Sequence, residues 1–367
     1  MKIARQHWLF GLALAGAIAV RVLVMLAFRP VIWFGGDSAS YLATGLRLVP
    51  DPSRVGGYGF LLWLLRPLHS FVVVAAVQHA MGLGIGVLIY LLLAAFFNLA
   101  WHLLHIPPQM HHGILAPGLM LLTGVILLGS ILAASAWTVH FFDHRPLSTV
   151  GVPLSGPWLQ QTLIGLLAGS VTPIVFFLAA YKLGNAQVAL VHFDLHSALT
   201  QTLPALAAFL LLGFHEELLY RGYLMQLISQ KGGRMVAALI TGLIFGLVHG
   251  GNPGANPQGL IFTAVYGVLL AWVVMRTGSL WIAGGYHAAW NATAALALGL
   301  DVSGTVMPGS WITTTLSGPR WITGGAYGFE SSIITGLAEP IVLGALLMIA
   351  PRLPSHPQLR RYFDKQA

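Results

Sequence analysis

The chain has 367 residues, of which 57% are hydrophobic and only 8% charged, whereas an ordinary soluble domain carries roughly 25% charged residues; a soluble globular fold is excluded. With no cysteine there are no disulfides, thiolate nucleophiles or Cys-type zinc sites. The formal charge of +8 comes from 18 basic residues scattered over many loop ends, a pattern that orients a protein in a membrane and does not make it a nucleic-acid binder.

In chain order, Lys2 and Arg5 precede an apolar run over 8–28. It has no convincing cleavage site, so we read it as a retained first span, not a signal peptide. A mixed stretch over 29–69, holding Asp37, Arg47, Asp51, Arg54 and Arg66, reads as an amphipathic surface loop. Residues 70–105 stay apolar for about 54 Å of helix, too long for one crossing and short for two. Further spans are expected near 113–141, 159–183, 198–220, 236–250, 257–275, 279–300 and 332–351. The alternating ten-residue segments of a transmembrane barrel are missing, and the backbone must therefore be satisfied inside helices. The expected fold is all-α, a polytopic transmembrane helical bundle of 8–10 spans. Arg352, Arg360, Arg361 and Lys365 follow the last span and Lys2 and Arg5 precede the first, placing both termini in the cytoplasm. An even count, with ten fitting better than nine, also puts Arg145, a loop with Arg221, Lys231 and Arg234, and Arg276 on that side. Three regions are expected: an N-terminal membrane region over 1–105, a main membrane domain over 106–351, and a basic cytoplasmic tail over 352–367. His102, His105, His111, His112, His140 and His144 lack ligand spacing and read as membrane-interface residues.

Polar groups inside apolar helices are costly and mark function, and residues 205–300 carry a set of them. The first group is Phe214-His215-Glu216-Glu217-Leu218-Leu219-Tyr220-Arg221. Glu217 and Arg221, four apart with the acid first, suit an ion pair on one helix face; Glu216 then points elsewhere, toward a cavity. The second is Phe245-Gly246-Leu247-Val248-His249, where Gly242, Gly246 and Gly250 recur every fourth residue and permit close helix contact. The third is His287-Ala288-Ala289-Trp290-Asn291, with imidazole and carboxamide on one face. A carboxylate, two imidazoles and an amide are the parts of a water-activating site with oxyanion donors. A single buried His is ordinarily structural; the ordered set of four is what carries the functional reading.

The patterns E-E-x-x-x-R, F-x-x-x-H and H-x-x-x-N, in this order, resemble the CPBP family of CAAX proteases and bacteriocin-processing enzymes. Less specific agreement, such as Arg276-Thr277-Gly278-Ser279-Leu280-Trp281, extends the resemblance over about 145–300. It implies an intramembrane endopeptidase in a bacterial cell membrane, acting on a peptide or protein substrate reached at or within the bilayer. Glu216 and His249 would activate water, His287 and Asn291 would stabilise the oxyanion, and Glu217 and Arg221 would hold the site's shape. Zinc is possible and not required. His215-Glu216 is followed by Leu219 where a zincin helix needs its second His, so a metal would have to be held by Glu216, His249 and His287 from separate helices. The alternatives are a non-catalytic membrane protein of the bacteriocin-immunity type and a proton-coupled transporter. Separately, Gly36-Asp37-Ser38, Tyr41-Leu42, Arg54, Gly57-Tyr58, Phe60-Leu61 and Gln78 resemble the start of a polyprenyl-phosphate-dependent glycosyltransferase of the multi-span C class. That resemblance implies a base or metal-contacting role for Asp37, or a fused remnant.

Overall fold

The computed structural model describes residues 117–141, 143–191 and 194–353, with isolated positions elsewhere; Asp37 and the rest of the glycosyltransferase-like pattern lie outside the described residues. The chain divides into two compact units, Met1–Ile106 and Pro107–Ala367, and the second holds nearly all of the described residues.

Among the described residues seven long helices build this second unit: α1 (Pro117–Phe141), α2 (Trp158–Lys182), α3 (Leu203–Arg221), α4 (Tyr223–Val248), α5 (Pro257–Thr277), α6 (Leu280–Ala292) and α7 (Ile333–Ile349). Short polar residues start several of them at apolar run boundaries. Asn256 accepts from Gly259 N (3.0 Å), Ser279 from Trp281 N (3.2 Å) and Ser332 from Ile334 N (3.1 Å), each satisfying an amide that hydrocarbon would leave unpaired. Among the described residues six helical segments are long and apolar enough to cross a membrane, which makes this a polytopic helical bundle.

One expectation needs correction and one needs refining. The span expected over 279–300 is α6 continued without a break by one wide turn over Thr293–Ala297; it is not among the six segments long and apolar enough to cross. It is a core helix, with Ile282 through Ala289 buried. The loop expected to hold Arg221 with Lys231 and Arg234 begins later. The chain bends at Gly222, continues as helix, and reverses at Gly233 (φ 77°, ψ 171°), a conformation that a Cβ would disfavour. Arg221 thus stays fully buried, as a charge with a partner must be in an apolar setting. Among the described residues a single two-stranded ribbon joins the otherwise helical bundle: β1 (Ala186–Leu190) pairs antiparallel with β2 (Ile312–Leu316), from Ala186 opposite Leu316 to Leu190 opposite Ile312. The β-branched run Thr313-Thr314-Thr315 suits a strand, but its partner lies over a hundred residues away in sequence.

Small residues set how closely α6 is held. Cβ atoms at Gly165 and Gly169 of α2 would collide with the carbonyls of Ile282 and Tyr286, and one at Gly213 of α3 would come within 2.8 Å of Ala288 N. Backbone therefore meets backbone on both sides of α6, the packing that replaces a hydrophobic driving force in lipid. Between α4 and α5, Gly242 and Gly246 do the same against Val268 and Ala264, whereas Gly250 meets only Leu260 Cδ1 at 3.6 Å.

Candidate active site

Helix α3 runs beside α6, and at its last turn the neighbouring carboxylates separate. Successive residues of a helix point about 100° apart. Glu217 turns into the core, fully buried, with Oε1 3.1 Å from Arg221 Nη1 and 2.9 Å from His287 Nδ1. Arg221 donates a second bond to the Gly267 carbonyl (3.1 Å) and stacks its guanidinium 4.4 Å from the centre of the Phe245 ring, a cation–π contact strengthened by desolvation. A carboxylate only accepts, so the proton on His287 Nδ1 lies toward Glu217 and Nε2 faces the other way.

It faces Glu216. His287 Nε2 lies 3.9 Å from Glu216 Oε2, and the Glu216 side chain is 30% exposed where Glu217 is 0%. Among the described residues Glu216 Oε2 receives no protein hydrogen bond. His249, one residue past α4, donates from Nδ1 to the Phe245 carbonyl (2.7 Å); since a carbonyl cannot donate, Nε2 carries the free lone pair when the ring is neutral. Glu216, His249, His287 and Asn291 all line one cavity of about 470 Å³, within the range of small-ligand and peptide side-chain pockets. His215 and Tyr220 line it too.

Two acids outside the three motifs, and so missed from sequence, lie at the same cavity. Glu339 of α7 is buried and accepts from Tyr286 Oη (2.8 Å) and Trp290 Nε1 (3.0 Å). Tyr286 and Trp290 are four apart on α6 and flank His287, so Glu339 fixes the rotation of the helix that presents His287 and Asn291. A lone glutamate in the apolar run Ile333–Ile349 was the available signal. Glu330, in the loop before α7, accepts from Ser303 N (2.8 Å) and from Ser303 Oγ. Burial pushes its carboxyl above the usual range, against the opposing pull of His249 and the Ser303 bonds.

A hydrolytic metal would need three side chains converging on one point at about 2.0–2.2 Å. Among the described residues no group of three His, Asp or Glu side chains does so; the Nδ1 atoms of His249 and His287 are held by the Phe245 carbonyl and Glu217, which leaves both Nε2 atoms free toward the cavity. No step is derived through a metal.

No curated protein and no solved structure matches the chain. Residues 198–293, which hold all three motifs, match the family described as Rce1-like, type II CAAX prenyl endopeptidase, in agreement with the CPBP resemblance.

Proposed function

We propose that this protein is an intramembrane endopeptidase that hydrolyses a peptide bond with water activated by Glu216 and His249. The observation that carries the reading is the convergence of Glu216, His249, His287 and Asn291 on one largely apolar cavity. Water placed between Glu216 and His249 gives one proton to the Glu216 carboxylate while His249 Nε2 accepts its other hydrogen as a hydrogen bond. The hydroxide so formed attacks the scissile carbonyl carbon. Asn291 Nδ2 and, in its imidazolium form, His287 Nε2 donate to the resulting oxyanion, with Glu217 compensating the imidazolium from the opposite side. Glu216 then passes its proton to the amide nitrogen as the C–N bond breaks. Glu217 and Arg221 hold His287 in place, and Glu339 holds α6.

The matching family is that of type II CAAX prenyl endopeptidases; the substrate proposed here is a peptide segment at the membrane. In the test, the full chain bearing Glu216→Gln captures membrane peptides, which are identified by mass spectrometry and offered to the wild-type protein. Cleavage of captured peptides by wild type alone, unaffected by dialysis against a chelator, is the expected result. Equal cleavage by Glu216→Gln would overturn the mechanism, and loss of wild-type cleavage on chelation that zinc restores would overturn its metal-free form.

A further inference from the structure

The two ends of the helical unit differ in charge. At one end lie the end of α1 with Arg145, the reversal of α4 with Lys231 and Arg234, the end of α5 with Arg276 and the end of α7 with Arg352. Arg145 there contacts Gln226, which in turn donates to the Thr149 carbonyl, tying these segments together at one level. In sequence Arg360, Arg361 and Lys365 come next. The opposite end, made by the start of α1, the end of α2, β1, β2 and the loops before α5 and α7, carries Lys182 and Arg320 as its basic residues among the described residues. Five basic positions against two, all beside short connections, is the asymmetry that sets orientation, the richer side being cytoplasmic.

The cavity belongs to the poorer end. Its lining reaches that end through Asn252 past α4 and Ser303, Thr305 and Met307 in the loop after α6. Toward the basic end it is closed by Phe245, 1% exposed, with the fully buried Arg221 stacked on it. We infer that the site opens to the extracytoplasmic side, so that its substrate is an exported or membrane-inserted polypeptide whose scissile segment has already been carried across the bilayer. The reaction that supplies this substrate is therefore polypeptide translocation. That the bound polypeptide is cleaved rests on the endopeptidase reading, whereas the orientation stands on geometry and charge alone.

Because the chain contains no cysteine, single cysteines report side without background. Val306, 49% exposed beside the rim, and Leu190, 89% exposed on β1, are replaced in the full chain as Val306→Cys and Leu190→Cys, and exposed His144 at the basic end as His144→Cys. Spheroplasts are treated with a membrane-impermeant maleimide before and after permeabilisation. Val306→Cys and Leu190→Cys should be labelled before permeabilisation and His144→Cys only after it. The reverse order at either rim reporter, or labelling of His144→Cys first, overturns the inference. Labelling needs no turnover, so an inactive protein with the expected pattern sinks the endopeptidase reading alone, and an active protein with the reversed pattern sinks the orientation alone.

Discussion

Glu216 and Glu217 are neighbours in sequence and occupy two different regions of the molecule. Glu217 is sealed from the cavity: its Oε1 meets Arg221 and His287, its Oε2 is buried with no hydrogen-bond partner among the described residues, and both members of the ion pair are at 0% exposure. The Glu216 side chain is instead 30% exposed and lines the cavity. The difference teaches that residue type does not assign a role in a membrane interior. A carboxylate sealed against a cation is structure, because removing either partner strands a charge; one facing a cavity is free to exchange a proton with water.

The comparison can be broken most sharply at Glu216. Glu216→Gln keeps size and removes the proton acceptor, and we expect peptide cleavage to fall by about 10² to 10⁴ with the melting temperature unchanged. A melting temperature that falls along with activity would move Glu216 into the structural class. Arg221→Ala acts on the closed side and should lower stability by about 3–5 kcal/mol, the usual cost of leaving one member of a buried pair, read as reduced yield and a lower melting temperature in detergent; unchanged stability with lost activity would erase the distinction between the two regions. Asn291→Ala belongs to the open side, with an expected loss of about 10² to 10³ in rate as for one oxyanion donor and a folded, substrate-binding protein. If its KM rises while kcat holds, Asn291 binds the ground state and the oxyanion role is wrong.

The smallest effect is expected at Glu330, on the rim side. Its folded carboxyl is raised above the ordinary value of 4.5 by burial, so the native state holds the proton more tightly than the unfolded chain. Its contribution to stability is then fully present below that ordinary value and is lost as pH rises through the raised folded value. Wild type should therefore lose melting temperature relative to Glu330→Gln as pH is raised above the carboxylate range. Parallel melting curves at all pH values would show that the carboxyl is not held protonated.

Much of the site is legible in the sequence alone. Long uncharged runs leave a backbone no choice but helix in lipid, and that argument holds for α1, α2, α5 and α7 whatever they pack against. The four-residue spacing of Glu217 and Arg221, and of His287 and Asn291, follows from helix geometry, and an imidazole or carboxylate set in apolar sequence announces itself by its cost. Gly242 and Gly246 are readable as contact points because a helix repeats every fourth residue. Glu339 is equally visible by the same cost, but it has no partner nearby in sequence to give it a role: Tyr286 and Trp290 reach it from another helix.

Tertiary structure decided what depends on residues far apart in the chain. That α6 is enclosed in the core is owed to glycines on α2 and α3 that admit it, which no local pattern in α6 reveals. The pairing of β1 with β2 and the closure of Glu330 onto Ser303 join segments whose separation carries no periodic signal. Above all, sequence supplied two adjacent glutamates, and the placement of Arg221 and His287 around one of them divided their environments, because the desolvation of a charge is set by everything that surrounds it and not by its own helix.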